Sequence, residues 1–163
     1  MNPNFENIYQ EQYSKVIRLC LGYVNGDGDL AKDLAQEVFI KVWEHLDSFR
    51  NESSISTWIY RITVNTCLMQ LRRKTRTVPL KNIEKSEVDD HTEDEVQKEK
   101  QLIQLHACIS KLFDVDKSVI LLELEGLPQK EIAEVTGLTH KSVRVRIHRI
   151  KEKLLKCIRH DNI

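Results

Sequence analysis

Apolar residues recur at positions 5, 8, 9, 13, 16, 17, 20, 21 and 24, the three-and-four spacing of a helix that buries one face. Gly22 and the run Asn25-Gly26-Asp27-Gly28-Asp29 end that helix. Asp29 is the expected N-cap of the next, because its carboxylate can accept a free backbone N–H. Leu30, Ala31, Leu34, Ala35, Val38, Phe39, Val42, Trp43 and Leu46 then form a second broad stripe, with Asp33, Gln36, Glu37 and Glu44 opposite. A polar stretch at 47–54 reads as a loop, and a third helix is expected over about 56–73. From 76 to 100 the periodicity fades, which predicts a linker with a helical end at 93–100. Leu102, Leu105, Ile109 and Leu112 space a fourth helix starting near 101, and Val119, Ile120, Leu122 and Leu124 a fifth that stops at Gly126. Pro128 stands where a first helical position is expected. A short helix over 129–136 breaks at Gly137, and a last one runs from 139 to about 157. No strand-like alternation emerges. The expected fold is all-α: two small helical bundles, 5–76 and 101–157, joined by a flexible acidic linker at 77–100.

Composition adds exclusions. The chain has 163 residues, 40% hydrophobic and 31% charged, with five Gly and three Pro. That profile suits a folded helical chain rather than a disordered or turn-rich one. No apolar run approaches the ~20 residues that span a bilayer, so no membrane insertion is expected. The first residues lack a signal-peptide layout, and the expected location is cytoplasmic. Cys20, Cys67, Cys108 and Cys157 lie far apart and read as reduced small hydrophobes, neither a disulfide framework nor a zinc site. No nucleophile, metal or phosphate-loop constellation is evident, so no catalytic residue, metal or cofactor is expected.

Charge changes the picture more. The 25 basic and 25 acidic side chains cancel, yet they are segregated. Residues 72–83 carry five basic and no acidic groups, 84–100 three and eight, and 137–163 eight and two. Attraction to phosphate acts over about a Debye length, roughly 8–10 Å, so the local balance decides. The two basic blocks are candidate nucleic-acid faces. The acidic 84–100 segment is expected to restrain them by competing for the same cations.

The second basic block follows a short helix and a Gly-containing turn, the layout of a helix-turn-helix. At about 100° per residue, Val143, Ile147, Ile150 and Leu154 form a narrow apolar stripe that would pack on Ile132, Ala133 and Val135. His140, Lys141, Arg144, Val145 and His148 then point outward, with Ser142, Arg146 and Arg149 at the flanks. Free N-terminal residues can meet base edges in a major groove while flanking Arg residues hold phosphates. The plainer alternative is a solvated basic face.

In the third helix Trp58, Arg61, Asn65 and Arg72 share a sector of about 60° and continue into Arg73, Lys74 and Arg76. An aromatic plane, an amide and guanidiniums are the elements that bind unstacked nucleic acid. The alternative makes Trp58 a core aromatic and the basic run a solvated helix end. On the second helix, Asp33, Gln36 and Glu37 lack a nearby His or pocket for acid–base chemistry. Docking on a basic partner helix is the better reading.

Taken together, Asp33-Leu34-Ala35-Gln36-Glu37-Val38-Phe39 with Trp43, the stretch 56–65 with Leu71-Arg72-Arg73-Lys74, and Glu131-Ile132-Ala133 with Gly137-Leu138 and Ser142-Val143-Arg144-Val145-Arg146 resemble the ordered motifs of bacterial RNA polymerase sigma factors of the extracytoplasmic-function group. The resemblance covers both bundles. It implies a non-enzymatic promoter-specificity subunit whose partners are core RNA polymerase, promoter DNA and an anti-sigma factor. By resemblance, Asp33, Gln36 and Glu37 bind the clamp coiled coil of the polymerase large subunit. Asn65 and the 47–54 loop engage an unstacked base of the −10 element, supported by Trp58, Arg61, Arg72 and Arg73. His140, Lys141, Arg144, Arg146 and Arg149 meet the −35 element as duplex. Met69 and Val145 depart from residue types usual in the family, which implies a shifted promoter preference.

Overall fold

The computed structural model describes residues 4–74 and 92–160. Among these residues the regular structure is helical, and no helix is long and apolar enough to cross a membrane. The first bundle comprises α1 (Phe5–Tyr23), α2 (Gly28–His45) and α3 (Ile55–Lys74), with a 3₁₀ turn at Leu46–Ser48. The second comprises α4 (Glu93–Ser110), α5 (Asp114–Leu124), α6 (Gln129–Thr136) and α7 (His140–His160). The all-α reading as two helical bundles therefore holds. The flexible part expected at 77–91 lies outside the described residues.

Local chemistry explains most boundaries and corrects several. Asp27, not Asp29, caps α2, its Oδ1 accepting from Leu30 N at 3.2 Å. The preceding turn needs positive φ at Asn25 and Gly26, and that geometry delivers Asp27 to the capping position. Pro128 is the N-cap of α6 rather than its first helical residue. The fourth helix starts about two turns earlier than its apolar spacing suggests. Thr92 and Glu95 form a capping box there, and Glu93, Asp94 and Glu95 crowd the positive end of the helix dipole. That N-terminal half is exposed, so hydrophobic periodicity is blind to it. The same start makes the 93–100 part of the acidic segment helical.

The core of the first bundle is built from Val16, Leu19, Cys20, Ala31, Ala35, Val38, Val42, Ile59 and Cys67. That of the second rests on Ile109, Val119, Leu122, Ile132, Val143 and Ile150. Burial of such aliphatic side chains contributes roughly 1.5–3 kcal/mol each against chain entropy.

The bundles also pack on one another. A Cβ at Gly22 would collide with the Leu121 side chain, so a larger residue there would force Leu121 to shift where α1 meets α5. Beside it, the buried Tyr23 hydroxyl hydrogen-bonds the Ser118 hydroxyl. Arg18 grips Glu125 through two bonds, Nε and Nη2 each 3.0 Å from a carboxylate oxygen. Tyr60 on α3 is buried in the same region, and loss of solvation, reinforced by Glu125, pushes its hydroxyl up to about 12.

Candidate functional site

The outer face of α7 follows from its stripe. Val143, Ile147, Ile150 and Leu154 are all buried, as their spacing predicts. They are held against α6, where Ile132 and Val135 are buried too. Gly137 adopts φ 76° and donates its N–H to the Ala133 carbonyl at 2.9 Å, closing α6 with the turn a glycine makes at least cost. Thr139 Oγ1 then accepts from Ser142 N at 3.1 Å and starts α7. His140, Lys141, Arg144, Val145, His148 and Arg149 all remain exposed. Arg146 differs. It is half-buried, with Nη1 2.9 Å from Asp116 Oδ1 on α5 and Nε 3.3 Å from Ser142 Oγ. A guanidinium already committed to a carboxylate orients the helix, and its free capacity for phosphate is reduced.

The α3 edge is less simply exposed. Asn65 faces solvent, as do Arg72 and Arg73. Trp58 is half-buried, its ring 5.0 Å from that of Phe49 in the loop before α3. Part of the Trp58 ring is therefore covered by the protein and part is left open to solvent. Arg61 is exposed, yet its Nη2 donates to the Glu134 carbonyl of α6 at 3.0 Å. One guanidinium of the first bundle's basic edge thus contacts the second bundle. The loop at 47–54 is pinned by Ser54, whose hydroxyl accepts from Thr57 N at 3.1 Å and so begins α3. Behind the edge, Thr57, Ile59, Tyr60, Thr63, Val64, Thr66 and Cys67 are all buried. This buried arc is wide because α1 and α2 cover one side of α3 and α6 another.

On α2, Asp33 and Gln36 are exposed and Glu37 is partly covered, Glu37 pairing with Lys41 one turn on at 3.4 Å. Beside them lies an apolar groove between α1 and α2, lined by Phe5, Tyr9, Tyr13, Gln36, Phe39 and Trp43. Trp43 is 65% exposed although Phe5 meets it edge-on, ring centroids 5.1 Å apart. Tyr9 meets Phe39 at 4.8 Å. Sequence reasoning counted Phe5, Tyr9 and Tyr13 as core periodicity. Their own four-residue spacing, offset from the buried stripe of Ile8, Val16 and Leu19, was the available signal.

The reading of all four cysteines as reduced hydrophobes is corrected for one pair. Cys108 of α4 and Cys157 of α7 form a disulfide, their Cα atoms 6.0 Å apart across 49 residues of sequence. No motif spacing announces such a pair, because tertiary packing alone makes them neighbours. Cys20 and Cys67 remain thiols, both buried, with Sγ atoms 3.7 Å apart. The hydrogen bond to Cys20, then burial, pushes the Cys67 thiol far up.

The family model for sigma-70 region 2 matches residues 8–77, and that for sigma-70 region 4 matches residues 102–154. The chain is 34% identical over 152 residues to the ECF RNA polymerase sigma-E factor of Escherichia coli strain K12, covering 86% of this chain and 78% of that protein. It is 30% identical over 166 residues to the RNA polymerase sigma-H factor of Pseudomonas aeruginosa, covering 94% and 86%. Its fold is similar to that of the sigma factor RpoE of Bartonella quintana, solved in complex with the anti-sigma factor NepR. That similarity has a TM-score of 0.71 at 18% identity, covering 95% of this chain and 96% of the other.

Proposed function

The chain belongs to the sigma-70 family as a non-enzymatic RNA polymerase sigma factor of the extracytoplasmic-function group, acting in transcription initiation, and from that premise we propose how its surfaces divide the work. Residues 5–76 form the unit that docks on core polymerase and reads the −10 element. Residues 77–100 connect it to a −35-reading unit at 101–157. Asp33, Gln36 and Glu37 bind a basic face of core polymerase, and the aromatic groove at Tyr9 and Trp43 supplies the apolar half of that contact. A large exposed aromatic beside carboxylates is the composition of a protein-docking patch.

His140, Lys141, Arg144 and Arg149 meet the −35 duplex. Arg144 and Lys141 are positioned to donate to base-edge acceptors near the start of α7, and Arg149 to hold phosphate. Arg146 acts mainly by orienting α7 through Asp116. Asn65, with Trp58, Arg61, Arg72 and Arg73, captures and supports an unstacked base of the −10 element. A protein with these partners works in the cytoplasm. An anti-sigma protein is a further partner, a reading supported by the fold shared with a sigma factor solved in such a complex.

The observation that carries the proposal is the outer face of α7, exposed and basic above a fully buried stripe, in a chain that also exposes the α2 patch. Run-off transcription with core polymerase on genomic fragments tests it: new start sites are expected when the chain is added. Asp33→Ala with Glu37→Ala should lose core polymerase in a pull-down while far-UV circular dichroism stays unchanged. Undiminished capture would reject the docking assignment.

A further inference from the structure

The two cysteine pairs lie in opposite chemical settings. Cys20 and Cys67 are fully buried between α1 and α3, hydrogen-bonded to each other, with the Cys67 thiol held protonated. Cys108 and Cys157 instead line a surface groove with Lys111, Phe113, Lys153 and Leu154. Cys108 is buried there and Cys157 is partly exposed. Lys111 Nζ stands 3.9 Å from Cys157 Sγ, and Lys153 borders the same groove. Cations beside an accessible sulfur favour the thiolate, the form that reacts. A cytoplasmic setting, which rests on the functional reading above, makes a permanent structural disulfide the exception and a transient one the rule.

We propose that Cys108 and Cys157 are a reversible thiol–disulfide site oxidised by hydroperoxides, with Cys157 oxidised first and Cys108 resolving, and that its state sets how firmly α7 is held on α4. The Cys157 thiolate attacks one peroxide oxygen. The O–O bond breaks, and the departing hydroxide takes up a proton and leaves as water. Cys157 is then a sulfenic acid. The Cys108 sulfur attacks it, the S–S bond forms, the S–O bond breaks, and the hydroxyl leaves with the Cys108 proton as a second water. Two thiols have lost two electrons and two protons, and one hydrogen peroxide has become two waters. A small thiol reverses the step by exchange at the exposed Cys157 sulfur.

The bond's consequence follows from its place. It spans 49 residues and joins α4 to the far end of the helix whose N-terminal half carries the basic outer face. Gln104 supports the same junction, Nε2 donating to the Ile158 carbonyl at 2.8 Å. Closing a loop of that length restricts the unfolded chain, so oxidation raises the stability of the second bundle.

The test uses the full chain, reduced with dithiothreitol, desalted, exposed to hydrogen peroxide and counted for free thiols by alkylation and mass spectrometry. Thiols should fall from four to two, with the new bond mapped to Cys108 and Cys157, and return to four on adding dithiothreitol. Tm should be higher in the oxidised chain by roughly 5–10 °C. In Cys108→Ser a sulfenic acid should be trapped on Cys157 by dimedone, and Lys111→Ala should slow oxidation severalfold without changing its end point. Where a substituted chain fails to fold, wild-type protein in its two redox states gives the same comparison. The proposal is overturned if peroxide leaves all four thiols intact, if Cys20 or Cys67 is consumed instead, or if Tm is the same in both states. None of these readouts involves polymerase or DNA, so their failure is distinct from a failure of promoter reading.

Discussion

The basic edge of α3 and the basic face of α7 are built from similar residues and meet different fates. On α7 the apolar stripe is narrow and all its packing lies on one side, so His140, Lys141, Arg144 and Arg149 are left in water. On α3 helices press from several directions, and Arg61, on the basic edge itself, donates to the Glu134 carbonyl of α6. A cluster of cations is therefore a reading face only as far as neighbouring elements leave it one. The α7 face is available in this arrangement, whereas the α3 edge is partly engaged by the molecule's own second bundle.

The most severe way to break this comparison is to remove the floor of one face. Ile150→Ala takes a fully buried side chain from beneath α7 and should cost about 2–5 kcal/mol. Hydrogen exchange should show α7 losing protection while α3, packed on α1 and α2, keeps most of its own. Equal loss in both helices would mean that the faces are not independently supported.

A milder intervention acts on the contact between bundles. Gly22→Val forces a side chain into the space of Leu121 and should cost roughly 1–3 kcal/mol at that contact. The radius of gyration from small-angle scattering should rise with helix content unchanged, and Arg61 should be released for single-stranded −10 DNA. An unchanged radius would show that the contact yields elsewhere.

The finest comparison is between two arginines on one helix. Arg144→Ala should cost about 1–3 kcal/mol in affinity for −35 duplex and relax preference at one base pair. Arg146→Ala should act first on the fold, removing a partly exposed pair with Asp116 worth on the order of 1 kcal/mol or less. Duplex titrations at fixed salt alongside thermal melts separate the two, and identical profiles would erase the distinction.

The helices themselves were legible from their apolar spacing; 143, 147, 150 and 154 on α7 suffice to orient it. Segregation of charge, hidden in a net value of zero, was equally readable. The helical stretch expected at 93–100 is there, but its continuity with the helix placed from 101 was not legible, because a capping box and a charged first turn stabilise its start without an apolar face. The aromatic groove was half legible: Phe5, Tyr9 and Tyr13 were visible as periodic residues, but whether an i, i+4 row faces a core or a groove depends on what packs against it.

Thus the linear chain by itself determined the all-helical class, the two bundles, the turn at Gly137 and the outer face of α7, since all of these follow from short-range periodicity and backbone preference. Tertiary structure alone decided that Arg61 meets α6, that Arg146 meets Asp116, that Gly22 admits Leu121 and that Cys108 meets Cys157. Those partners lie 30 to 99 positions apart in the chain. No local rule relates residues at such separations; only the packing of whole helices brings them within bonding distance.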